Sequence, residues 1–165
     1  MTPEALQDAL VKALREEFGA DDYLQTNTGA HRAPNIYKQD VPIPQCDDDE
    51  DEDEDIDAED VLVPYIIVRL SDGTFDDWGE ALHVGVTIIV CTYDNSPDRQ
   101  GSRDVLSILS RIFRKFAANP HVGNFTCALP IEWALQAEVE THPYYFGGMQ
   151  LSFSCPGVLI EDPLI

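Results

Sequence analysis

The densest array of reactive groups in this sequence is CDDDEDEDEDIDAED, residues 46–60, with twelve carboxylates in fifteen positions and no base. They are Asp47, Asp48, Asp49, Glu50, Asp51 and Glu52, then Asp53, Glu54, Asp55, Asp57, Glu59 and Asp60. Carboxylates are hard oxygen ligands, so divalent-cation binding is the first chemistry to weigh. An EF-hand loop needs glycine at its sixth position for a sharp turn, and this run contains none. Loose screening by divalent ions is expected here; a specific calcium cage is not. Like-charge repulsion, with almost no apolar surface to bury, predicts an extended, flexible segment.

Nucleophilic and soft-metal chemistry would fall to cysteine and histidine. Cys46, Cys91, Cys127 and Cys155 are widely spaced, with no CxxC pair. A zinc site from Cys91, Cys127 and Cys155 would need strands to converge, and spacing gives it no support. The expected state is reduced, buried thiols. His31, His83, His121 and His142 are isolated from one another. There is no GxSxG elbow, HExxH pair or Walker loop. A Ser or Cys nucleophile with a His base would have to assemble from distant residues, and nothing selects such a set. No catalytic residue, cofactor or metal site is therefore expected. Gly147-Gly148 reads as a bulge or a close backbone approach, since no helix start follows to make a phosphate cradle.

Charge narrows the classes further. The chain has 31 acidic and 10 basic residues in 165, a net charge of −21. The run holds 12 of the 31 acids, leaving 19 against 10 elsewhere, an ordinary acidic surface. A basic nucleic-acid footprint is missing, and the excess charge repels DNA and anionic membranes at range. The opening MTPEALQDAL lacks the order of a signal peptide. No apolar stretch approaches the ~20 residues of a membrane-spanning helix. A soluble, cytosolic product is expected.

The elements that must position any site follow from periodicity. Thr2 caps, Pro3 suits the first helical position and Glu4 complements the dipole of a helix over 3–18. Its apolar stripe is Leu6, Leu10, Leu14 and Phe18, and Gly19 ends it. Residues 20–45 read as a long loop, with a short extended piece at 35–38 as an option. Strands are predicted from about 65 to 70 and over 81–93, the second with both faces covered. A helix over 101–118 buries Val105, Ile108, Leu109, Ile112 and Phe116. Two more strands, 125–137 and 144–154, complete the order α-β-β-α-β-β. The expected fold is one α+β domain, 1–165, with a mainly antiparallel four-stranded sheet and both helices on one face. The acidic loop, 46–60, is placed between the first helix and the first strand.

Some residues are better suited to subunit contact than to chemistry. Phe75 and Trp78 sit in an Asp-rich turn, and Tyr144 and Tyr145 open the last strand. Either they cap the core or they dock a neighbour, where such rings supply much of the binding energy. The outer face of the second helix carries Arg103, Arg111, Arg114 and Lys115, free to pair with water or with acids of a neighbouring subunit.

The second half resembles the small neck and tail-completion proteins of tailed bacteriophages, in particular the tail terminator group. The resemblance rests on Pro64-Tyr65-Ile66-Ile67-Val68-Arg69-Leu70 and Val84-Gly85-Val86-Thr87-Ile88-Ile89-Val90. It continues in Gly101-Ser102-Arg103-Asp104-Val105-Leu106, Ile131-Glu132-Trp133 and His142-Pro143-Tyr144-Tyr145-Phe146-Gly147-Gly148. It covers roughly residues 61–155 and implies no catalytic residues. It implies a compact α+β subunit of a ring, commonly hexameric, that ends the tail tube and meets the head connector. DNA would pass through without specific binding, and the protein would reside in the virion after assembly in the host cytoplasm. The acidic run departs from the group. Facing the channel, it would repel the DNA backbone, where Lys or Arg would create sticky sites.

Two other classes compete. An acidic mimic of DNA fits the net charge, but a mimic arrays its charge over a folded surface, and here most of the excess lies in one run. An enzyme using Cys or His has no motif behind it.

Overall fold

A computed structural model describes residues 2–20, 22–26, 28–42, 63–137 and 139–156. All twelve carboxylates of the acidic run, and Cys46, lie outside the described residues.

Helix α1, Pro3–Phe18, begins as its sequence requires: the Thr2 hydroxyl accepts from the Ala5 N–H at 3.3 Å. Leu6, Leu10, Leu14 and Phe18 are all buried. Three short strands follow: β1 Leu24–Gln25, β2 His31–Arg32 and β3 Asn35–Lys38. Then come β4 Tyr65–Thr74, β5 Leu82–Tyr93, helix α2 Ser102–Ala118, β6 His121–Val122, β7 Phe125–Leu135 and β8 Tyr144–Cys155.

The four-stranded antiparallel sheet is overturned. Six strands form one mixed sheet in the order β3-β4-β5-β8-β7-β6, and β1 and β2 make a separate two-stranded sheet. The β3–β4 pair is parallel, in register from Asn35↔Tyr65 to Lys38↔Val68. A parallel pair needs a crossover of a dozen or more residues, and the segment 39–64 is long enough. Consequently the acidic run falls between β3 and β4, not directly after the first helix. The extended piece expected at 35–38 is β3, and β1 and β2 interrupt the rest of what reads as a loop over 20–45. Strands of two to four residues show no period, and their pairing is set by backbone partners rather than by pattern.

The sheet curls around its helices. Helix α1 touches β3 and β4 near one edge and β6 at the other, while α2 lies on β5, β8 and β7. One core results, joining the helical stripes to Ile66 and Val68, to Val84, Val86, Ile88 and Val90, and to Met149, Leu151 and Phe153. Helix α2 comes down closely because β8 carries Gly147 beneath it. A Cβ there would lie 2.5 Å from Val105 Cγ1 and 3.2 Å from Leu109 Cδ1. The ladder runs regularly through Val90↔Gly147 and Ile89↔Gly148, so the glycine pair marks a close approach and not a bulge. The irregularities lie between Leu70 and Asp72 and between Ala128 and Glu132.

Both faces of β5 are largely covered, as expected. Val84, Val86, Ile88 and Val90 are buried under the helices, and Gly85, Thr87 and Ile89 on the other face are partly buried. Cys91, near the end of that face, is buried, as is Thr92 on the helix side.

Candidate functional site

The three described cysteines do not meet at one point: Cys127, opposite Phe153, is a diagonal neighbour of Cys155 across β7–β8, but Cys91 is remote from both. Cys91 stands opposite Phe146 at one end of the β5–β8 pair, while Cys155 stands opposite Leu82 at the other. Nine residues of strand separate Leu82 from Cys91, about 30 Å at ~3.3 Å per residue. Burial, partly offset by a hydrogen bond with Tyr65, pushes the Cys91 thiol up to about 12, the reverse of what a nucleophile requires. The Cys127 thiol is raised for the same reason, desolvation. No group of three His, Cys, Asp or Glu side chains arranged for a metal ion occurs among the described residues.

All four histidines are exposed. The sheet brings two of them into one row that the sequence does not reveal: His83 opposite Ser154, Ser154 opposite Thr126, and Thr126 opposite His121. Ser154 donates its hydroxyl to the Thr126 carbonyl at 3.4 Å, and His121 Nδ1 lies 3.2 Å from Thr126 Oγ1. Among the described residues no hydrogen bond joins Ser154 to either ring, so no nucleophile–base pair forms. His142 Nδ1 lies 3.1 Å from the Tyr145 hydroxyl in the turn before β8.

The open sheet face forms a broad hollow of about 830 Å³ over Thr87, Phe146, Gly148 and Gln150, with Glu132 and Trp133 along its β7 side. Its floor is largely neutral, with Thr87 Oγ1 3.2 Å from Gln150 Oε1. It gathers no set of convergent charged groups for catalysis.

The contact residues named from sequence divide into two groups. Phe75 and Trp78 are exposed at the β4–β5 turn, edge to face at 5.7 Å. Tyr144 and Tyr145 are half-buried at the far end of β5, with Tyr144 edge to face on Tyr93 at 5.4 Å and Tyr145 over Gly101. Arg111 is committed within the subunit. Its guanidinium donates to the Glu17 carbonyl at 2.7 Å and carboxylate at 3.2 Å, and lies 4.4 Å over the Phe18 ring. Lys115 Nζ reaches Glu17 at 4.0 Å. Arg114 and Arg103 are exposed, with no ion-pair partner among the described residues.

A second apolar patch, not anticipated from the sequence, lies between α2 and β7. Leu106, Leu109, Ser110, Phe113 and Trp133 line a small groove of about 90 Å³. Phe113 is 44% exposed, Trp133 55% and nearby Leu129 83%. The groove opens at a free edge, because β6 pairs only with Phe125 and Thr126 of β7. Beyond them Pro130 removes a donor and the ladder to β8 slips, two devices that discourage strand addition at an edge. Contact here would therefore run through side chains. Two signals were available in the sequence. Phe113 falls outside the α2 stripe, and apolar residues alternate along β7 from Phe125 to Leu135.

No protein-family model matches this sequence, and no curated protein matches it. Among the described residues no helix is long and apolar enough to cross a membrane.

Proposed function

We propose that this protein is a structural subunit of a tailed-bacteriophage neck, of the tail terminator kind. It assembles into a ring, commonly six-fold in that group, that ends the tail tube and offers a surface to the head connector. The observation that carries this reading is the presence of two separate exposed aromatic patches on one scaffold. Phe75 and Trp78 form one, and Phe113 and Trp133 form the other. A head-to-tail contact joins two different surfaces, and it closes into a ring when the rotation permits. The resemblance in residues 61–155 supports the same reading. The acidic run then serves as an electrostatic bumper that keeps DNA from adhering during passage, with its effect screened over ~8–10 Å by salt.

Electron microscopy of the protein mixed with tail tubes from the same virion tests this. Rings capping tubes of fixed length are expected, and deletion of residues 47–60 should leave ring formation intact. Tubes that grow past the added protein would refute a terminator role. Loss of all assembly in the deletion variant would refute the bumper role.

A further inference from the structure

The two aromatic patches carry opposite charge around them. The turn between β4 and β5 carries Asp76, Asp77 and Glu80 around Phe75 and Trp78, with no base from 71 to 80. It is a preformed knob. Asp77 accepts from the Trp78 N–H at 2.7 Å and from the Glu80 N–H through its carbonyl at 3.2 Å, while Gly79 takes φ +84 to close the turn. Trp78 stands 74% exposed at its tip.

The groove has the opposite character. Helix α2 carries four bases, Arg103, Arg111, Arg114 and Lys115, against one acid, Asp104, in a chain of net charge −21. Glu17 occupies Arg111 and Lys115. The remaining two lie on α2 just beyond the two ends of the groove's lining, Arg103 three residues before Leu106 and Arg114 four after Ser110. An apolar slot between two arginines fits an aromatic knob ringed by carboxylates.

The knob cannot reach the groove of its own chain. It leaves the sheet at Leu82, opposite Cys155, whereas Trp133 stands opposite Met149. Six residues of strand, about 20 Å, and the width of β8 intervene. We propose that the turn at 75–80 of one copy docks in the α2–β7 groove of the next, with Trp78 against Phe113 and Trp133 and the turn carboxylates against Arg103 and Arg114. The contact is heterologous and so propagates head to tail. This inference rests on the ring reading and supplies its interface.

Charge reversal of the full chain tests it, read by sedimentation velocity up to about 1 mM protein. Reversing the turn (Asp76→Lys with Glu80→Lys, which leaves the Asp77 bonds that shape the knob) or the groove (Arg103→Glu with Arg114→Glu) should each weaken self-association at least roughly tenfold. Mixing the two variants, or combining all four changes in one chain, should restore it to within a few-fold. Trp78→Ala should weaken it whatever the charges. All five positions are exposed, and urea unfolding of each variant confirms that the fold survives. Self-association unchanged by either reversal overturns this contact while leaving ring formation standing. Weakening by both reversals without restoration in the mixture also overturns it. A wild-type chain that stays monomeric to about 1 mM overturns it too, and leaves rings to form only on the tail tube.

Discussion

Adjacent glycines in β8 should respond to the same substitution with opposite signs. A methyl group at Gly147 would lie 2.5 Å from Val105 Cγ1, 3.1 Å from Leu135 Cδ2 and 3.2 Å from Leu109 Cδ1. Carbon atoms pack best at ~3.5–4.0 Å, so Val105 or the whole of α2 must retreat by about 1 Å. Val105 is fully buried and cannot swing into solvent. Overpacking of this kind costs ~1–3 kcal/mol, while replacing glycine within a strand returns ~0.5–1 kcal/mol. Gly147→Ala should therefore destabilise by ~1–2 kcal/mol. At Gly148 the nearest atom is the Ile88 carbonyl oxygen at 3.4 Å, so alanine gains the propensity term with little clash. Gly148→Ala should be neutral or stabilising by up to ~1 kcal/mol.

Urea unfolding followed by far-UV circular dichroism separates the two, with the midpoint moving and the slope unchanged. For a chain of this size ~1 kcal/mol is ~2–4 °C in Tm, so the variants should part by several degrees. Val105→Ala in the Gly147→Ala background should cost less than in the wild type, because it removes the clash. Equal stability of the two alanine variants would refute the close seating of α2 on β8.

Arg111→Ala should cost ~1–2 kcal/mol in urea unfolding, since it removes the tie between α2 and the end of α1 and the contact with Phe18. Arg111→Lys should not recover it, because an ammonium cannot both fork onto Glu17 and stack on the ring. Gln7 donates to the Val68 carbonyl at 2.9 Å and to Gln39 Oε1 at 2.8 Å. Gln7→Leu should cost ~1 kcal/mol in the same assay, because Val68 keeps the Gln39 N–H as a second donor. The Cys91 thiol is neutral in the native state until about pH 12 against an ordinary value of 9.0. Its raised value means that the native state holds the proton more tightly, so the contribution is complete below pH 9 and is lost as pH rises towards 12. Between those limits the wild type should lose up to ~1.4 kcal/mol per pH unit relative to Cys91→Ala, measured by urea unfolding at successive pH values.

The helices and the long strands were legible because their patterns are local. Thr2, Pro3 and the stripe from Leu6 to Phe18 specify α1 within one segment, and Val84, Val86, Ile88 and Val90 do the same for the covered face of β5. At the sheet edge the extended piece at 35–38 was legible, but its pairing was not. Nothing in Asn35–Lys38 beyond Ile36 faces the core, and its parallel register is written in the backbone of β4, some thirty residues on. The same limit explains the candidate site. Alternation along β7 and the off-stripe position of Phe113 both signal apolar side chains that the core stripe of α2 does not account for. Periodicity reports that a surface is apolar; it does not report whether the covering element belongs to the same molecule. Here Leu135 of β7 packs against the core while Leu129 stands 83% exposed, and among the described residues only the two-residue β6 lies beyond β7. The apolar pattern that elsewhere closes the core is, at that edge, left exposed on Phe113, Leu129 and Trp133.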